Sequence, residues 1–226
     1  MAAPQVEAFR TQLWAQVEGL LAGGFPAKVA ELQALLQDAT FAVGPEQLRA
    51  ELDIALPQPG QKKKKEKEKD EEDEEPPCGP LSPNATVLGL LQRLRPLVQA
   101  ARQHLAQVSV WLQLQVPRIE DGDNFGVAVQ EKVFELFTAS RTKLDGFQGR
   151  LAKYLLERGD AVAKAAKNPH VLDYRELVHA LDEAEFGELL LTAAELRDLY
   201  AVLHDVVLKN MEKIRKPRGE AKGMIY

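Results

Sequence analysis

RIEDGDNFGVAVQEKV, residues 118–133, separates two long helical patterns and decides how they lie against each other. Its first nine positions hold three acids, two glycines and one asparagine. Pro117 stops the pattern before it, and from about residue 125 apolar side chains return at helical spacing. A chain that stops, turns within ten residues and resumes a helix folds back on itself, so the stretch reads as the turn between antiparallel neighbours. Gly122 suits the awkward dihedral of such a turn, and Asp123 or Asn124 suits the cap of the next helix.

The same residues can be tried as a calcium loop starting at Asp121. Asp123 and Gly126 then fall at positions three and six, as required. Phe125 falls at position five, and Lys132 stands at position twelve, where a bidentate glutamate is needed. A cation in place of that ligand removes the calcium reading. A capped turn and a surface built for contact stay open, because the turn is longer and more polar than a helix connection needs.

Working outward, four segments carry the three-and-four spacing of an amphipathic helix. Residues 4–37 place Val6, Phe9, Leu13, Val17, Leu20, Val29, Leu32, Leu35 and Leu36 on one face, with GGFP (23–26) expected to kink or break the helix. Residues 84–116 do the same with Val87, Leu91, Leu94, Val98, Ala101, Leu105, Val108 and Leu112, and Pro96 should kink this segment. The third runs from about 125 to 167 through Val129, Val133, Leu136, Phe137, Leu144, Phe147, Leu151, Tyr154, Leu155 and Val162. The fourth opens at Asp173, where DYRE offers a capping box with Glu176, and runs through Leu177, Leu181, Phe186 and Leu189 to Pro217. No strand-like alternation and no internal repeat is visible. The expected fold is all-α: an antiparallel four-helix bundle of rods roughly 50–65 Å long at 1.5 Å per residue. The 226 residues read as a single domain, with a Lys/Glu-rich interhelical loop at 57–83 and a C-terminal tail at 217–226.

Composition narrows the function. The net charge of −5 argues against nucleic acid as a partner. No apolar run approaches the ~18 residues of a membrane span, and MAAPQVEAFR has no signal-peptide core, so no membrane partner is expected. The run KKKKEKEKDEEDEE (62–75), bracketed by prolines, cannot bury apolar area and is expected to be a disordered, solvated loop. Cys78 is the one cysteine, so neither an internal disulfide nor a cysteine zinc site is available.

Catalytic equipment is missing from the sequence. Gly-Lys never occurs, so there is no Walker A loop, and there is no G-x-S-x-G or dinucleotide fingerprint. A di-iron bundle needs two Glu-x-x-His motifs, and only Glu176 with His179 forms one. No cofactor is expected and the chain reads as a non-enzyme. The tail KGMIY ends on apolar Met224, Ile225 and Tyr226 beside a carboxylate, an arrangement that a partner's pocket can capture.

WLQLQVPRIEDGDNFGVAVQEKVFEL (111–136), ERGDAVAKAAK (157–167), DYRELVH (173–179), the charged run followed by PPCGP, and KPRGEAKGMIY (216–226) together resemble the 11S proteasome activator (REG) family over essentially the whole chain. The Lys/Glu-rich run and the Met-Ile-Tyr ending resemble its alpha subunits. The resemblance implies a four-helix bundle that assembles into a seven-membered ring, mixes with beta subunits, caps the 20S proteasome on its alpha-subunit ring and opens the gate without ATP. It further implies peptide release that serves antigen processing, in the cytoplasm with the nucleus as a second site. An activation loop would correspond to Arg118, Ile119, Glu120, Asp121, Gly122, Asp123, Asn124, Phe125 and Gly126, and a docking tail to Gly223, Met224, Ile225 and Tyr226. Family alpha subunits in mammals carry Asn where this chain has Asp123; the change loses amide donors and adds a charge. The competing reading is a helical scaffold or adaptor that binds partners through the charged loop.

Overall fold

The structure, a computed structural model, describes residues 3–49, 51, 52, 54 and 81–219. Its first rod carries a spacing that a regular α-helix does not keep on one side. Leu13, Val17, Leu21 and Phe25 recur every four residues, and all four are buried, whereas an α-helix turns every 3.6. The rod accommodates them by widening. Helix α1 (Pro4–Gly19) passes into a π turn at Leu20–Gly24 and directly on into α2 (Phe25–Leu36). Of the kink or break expected at GGFP, the break is absent. The ring of Pro26 would press on the carbonyl four residues back in a regular helix, and the wider turn ahead of it relieves that contact. Backbone angles stay right-handed helical at Gly19, Gly24 and Phe25.

A 3₁₀ turn at Ala39–Phe41 and the short α3 (Pro45–Leu48) lead away from the first rod. The remaining rods are α4 (Ala85–Gln115), α5 (Phe125–Lys167) and α6 (Leu172–Arg215), and no strand occurs among the described residues. Asn84 starts α4: its Oδ1 accepts from the N–H groups of Thr86 and Val87, satisfying donors the helix leaves open. Pro96 sits inside α4 without interrupting it.

Cross-rod contacts fix the directions. Arg10 donates to the Leu114 carbonyl (3.1 Å) and Trp14 meets Trp111 edge-on at 5.8 Å, so the first rod runs against α4. Arg102 pairs with Asp145 (2.5 Å), setting α4 against α5, and Arg150 pairs with Glu188 (2.7 Å), setting α5 against α6. Glu18 pairs with Arg215 (2.6 Å), closing the circuit. The result is the expected antiparallel four-helix bundle. Its two ends are far apart, since the 44 residues of α6 span about 66 Å at 1.5 Å per residue. One end gathers the N-terminus of α1, residues 116–124 and the exit from α6. The other gathers Ile54, whose carbonyl accepts from Arg175 of α6 (2.5 Å), and the α5–α6 turn. The charged run, its disorder and Cys78 lie outside the described residues.

All eight apolar positions read for α4 are buried. Elsewhere the face is displaced at some positions. Val6 and Phe9 are exposed because the first turns of α1 overhang the end of α4, and Leu155 and Leu177 face solvent while Tyr154 and Val178 take the core. The capping box at Asp173 does not form. Helix α6 begins one residue earlier, with no side-chain cap, and Glu176 reaches instead to Arg49 (3.1 Å), which also holds Glu183 (2.8 Å).

Two polar groups, one buried and one half-buried, tie the rods together. Asp182, 2% exposed, accepts from Tyr154 Oη (2.8 Å), Arg158 Nε (2.7 Å) and Asn84 Nδ2 (3.0 Å). Burial, reinforced by this hydrogen bond, pushes the Tyr154 hydroxyl far up, so it remains a donor. His104 Nδ1 lies 2.9 Å from the Tyr200 hydroxyl, beside the Phe25 ring, and burial lowers its pKa with nearby Lys28 adding to the effect. The unfolded chain then takes up the proton first, so this site costs stability as pH falls below about 6.5. The melting temperature is expected to drop between about pH 7.5 and about pH 5.5 by less in His104→Gln than in the wild type, as thermal denaturation at both pH values would read. An equal drop in both would remove His104 as a source.

Candidate functional site

The end of the bundle that holds residues 116–124 is built by three helix ends. Gln130, 1% exposed in α5, donates through Nε2 to the Gln115 carbonyl at the end of α4 (3.0 Å) and to the Ile214 carbonyl at the end of α6 (2.7 Å). Both acceptors belong to last turns, where helical carbonyls lack partners. One side chain therefore fixes where the loop starts relative to where the chain leaves α6.

Val116 turns extended ahead of Pro117, and the loop runs to Asn124. Gly122 has φ +120°, the left-handed region that glycine tolerates and other residues avoid. That is the role the sequence assigned it. Asn124 occupies the N-cap position of α5 but makes no side-chain cap, and Asp123 makes none either. Their side chains are drawn to the segment leaving α6. Arg218 Nη2 donates to Asn124 Oδ1 (3.0 Å), and the Gly219 N–H donates to Asp123 Oδ2 (3.3 Å). Arg218 Nη1 also donates to the Arg118 carbonyl (2.9 Å) and to Glu120 Oε2 (3.0 Å), while Glu120 pairs with the Arg118 side chain. Gly126 lets the Pro217 backbone pass so closely that a Cβ there would stand 2.0 Å from the Pro217 carbonyl oxygen.

The side chains of Glu120, Asp123 and Asn124 thus hold the turn to the segment leaving α6, and its two large apolar side chains stand in solvent. Ile119 is fully exposed and Phe125 is 70% exposed. Val6, Phe9 and Val116 are exposed at the same end. Such a set, on a braced support, can offer apolar contact to a partner. The described residues offer nothing for metal chemistry: no three His, Cys, Asp or Glu side chains gather to hold an ion, and Glu176 of the lone Glu-x-x-His motif is engaged by Arg49. No helix among them is long and apolar enough to cross a membrane.

Residues 1–59 match the model of the proteasome activator PA28 N-terminal domain, and residues 80–224 match that of its C-terminal domain. The chain belongs to the PA28 proteasome activator family. It is 44% identical to bovine proteasome activator complex subunit 2 over 224 residues, covering 98% of this chain and 94% of that one. It is 32% identical to chicken proteasome activator complex subunit 3 over 241 residues, covering 98% and 95%. Among solved structures, the 11S subunit PA28 of the Plasmodium falciparum proteasome superposes with a TM-score of 0.80 at 23% identity, covering 95% of this chain and 94% of that one. The activator PA26, crystallised with an archaeal 20S proteasome, gives 0.62 at 18% identity, covering 96% and 93%. At these identities the structural likeness speaks for the fold alone.

Within the PA28 frame, the nine loop residues, Arg118 to Gly126, lie together at one end of the bundle and directly against Pro217–Gly219. Gly223, Met224, Ile225 and Tyr226 lie outside the described residues. Sequence reading missed Gln130 and Arg218. The only signals for them were a glutamine on the apolar side of α5 and an arginine just past the stop of α6, and neither reveals a partner 84 to 100 residues away.

Proposed function

We propose that this chain is a non-enzymatic, alpha-type PA28 subunit that forms a seven-membered ring, docks on the alpha-subunit ring of the 20S proteasome through Gly223–Tyr226, and opens its gate through Arg118–Gly126 without ATP. The observation that carries the reading is the loop itself. A turn that only joined two helices has no use for Ile119 in open solvent at the tip of a pinned polar support. The division of labour is physically sound. A single short tail binds weakly, and seven on a rigid ring raise avidity by ~10²–10⁴. Docking alone shifts no equilibrium; opening requires an element that prefers the open gate to the closed one, and a rigid loop can supply that difference. Mixing with beta subunits, peptide release for antigen processing, and a cytoplasmic location with the nucleus as a second site belong to the same reading.

The adaptor reading would use the charged run at 62–75. The residues flanking it, Ile54 and Asn84, sit toward the start of α6, away from the loop end. Deleting 61–75 is therefore expected to leave stimulation intact.

The deciding experiment is fluorogenic peptide hydrolysis by latent 20S proteasome without ATP, with the whole chain and with a chain ending at Gly223, each alone and with a beta partner. Stimulation by the first and its loss in the second is the expected result. Equal stimulation by both would remove the docking role of the tail. No stimulation by either, with or without the partner, would overturn the activator reading.

A further inference from the structure

The loop has little support of its own. Asn124 does not cap α5, and its amide reaches the Glu120 carbonyl only at 3.4 Å, a weak bond. What holds it is Pro217–Gly219, which touch five of the nine loop residues: Arg118, Glu120, Asp123, Asn124 and Gly126. Arg218 makes three of those contacts from a side chain only 20% exposed. Its planar fork reaches a main-chain carbonyl, a carboxylate and an amide oxygen at once, a geometry that a lysine ammonium cannot reproduce.

We infer that Arg218 is a positioning residue for the loop, so that the root of the docking tail also sets the shape of the surface that meets the gate. This rests on the proposed activator function and deepens it. Tail and loop are then not two independent devices. A loop without its brace samples many shapes, and the effective strength of a ligand falls with the fraction of molecules in the competent shape. Tail binding needs no such shape and should be spared.

The test uses Arg218→Ala and Arg218→Lys in the whole chain. Two readouts separate the claims. In the activator alone, cleavage after Glu120 by a Glu-specific protease reports loop order. With latent 20S proteasome, the maximal stimulation reports opening and the half-saturating concentration reports docking. Both variants are expected to be cleaved at least fivefold faster at Glu120. Both should lose at least fivefold in maximal stimulation, with half-saturation changed by less than twofold. Unchanged cleavage would overturn the inference, as would full rescue by lysine, which would mean that charge alone matters. A loss that saturating activator repairs would assign Arg218 to docking and overturn it too. The cleavage readout needs no proteasome, so it still judges the brace if the wild type fails to stimulate, and that failure would count against the activator reading instead.

Discussion

Gly126→Ala is expected to leave the bundle folded while lowering maximal stimulation of proteasomal peptide hydrolysis about tenfold or more. The added Cβ would stand 2.0 Å from the Pro217 carbonyl oxygen and 2.6 Å from the Pro217 carbonyl carbon and Cα. No side-chain adjustment relieves a contact with backbone, so Pro217 must move out and take Arg218 and Gly219 with it. The loop then loses its hydrogen bonds to both residues. A tenfold loss corresponds to about 1.4 kcal/mol of differential preference for the open gate, within reach of four hydrogen bonds, each with an ionised donor or acceptor. Stability should fall only modestly, because the lost bonds are exposed and alanine's preference for a helix over glycine, up to about 1 kcal/mol, offsets part of their loss. Melting temperature, half-saturating concentration and maximal stimulation measured together check this. Wild-type stimulation in Gly126→Ala would show that the close approach of Pro217 has no bearing on activity.

The second large effect concerns stability. Asp182→Ala is expected to destabilise the bundle by about 3–5 kcal/mol, because it strands a buried arginine. Arg158 is 7% exposed and has Asp182 as its carboxylate partner through Nε (2.7 Å) and Nη2 (3.3 Å). Tyr154 and Asn84 lose an acceptor at the same time, although Asn84 keeps the Leu48 carbonyl (2.9 Å). For a chain of this size the melting temperature should fall by roughly 6–20 °C. The instructive comparison is Arg158→Met with Asp182→Leu. Removing both charges leaves neither one stranded, so the double variant is expected to melt above either single one. Additive losses would mean that the pair contributes as two separate contacts. The network lies toward the far end of the bundle, so these variants should stimulate normally at temperatures where they stay folded.

How much of this could be read from the chain depends on the range of the interaction. Helix α5 was predicted over the span it occupies, and every α4 core position was correct, because a regular spacing of apolar residues is local information. Gly122 was legible for the same reason: a glycine among turn-forming residues predicts its own dihedral. Local signals failed where a distant group competed for the same atoms. Glu176 looked like half of a capping box until Arg49 claimed it, and Asp123 and Asn124 looked like caps until Arg218 and Gly219 did. The steps of four from Leu13 to Phe25 were in plain view, yet GGFP read as a kink or a break and not as a π turn, because the π turn that reconciles them leaves no residue signature of its own. Asp182 could be suspected from nothing local, since an acid at that spacing is ordinarily a surface residue.

The brace also has a consequence for how the molecule is made. Arg118 and Arg218 are 100 positions apart. A ribosome adding about 5–20 residues per second needs roughly 5–20 s to pass from one to the other. During that interval α4 and much of α5 can form, but the turn between them lacks the groups that give it its shape. Ile119 and Phe125 therefore acquire a defined arrangement only after residues 217–219 have been synthesised and folded back. A chain interrupted before that point could still be helical, but its 118–126 loop would lack the groups that shape it, so the nascent protein is built in an order that leaves this end unfinished until nearly everything beneath it is in place.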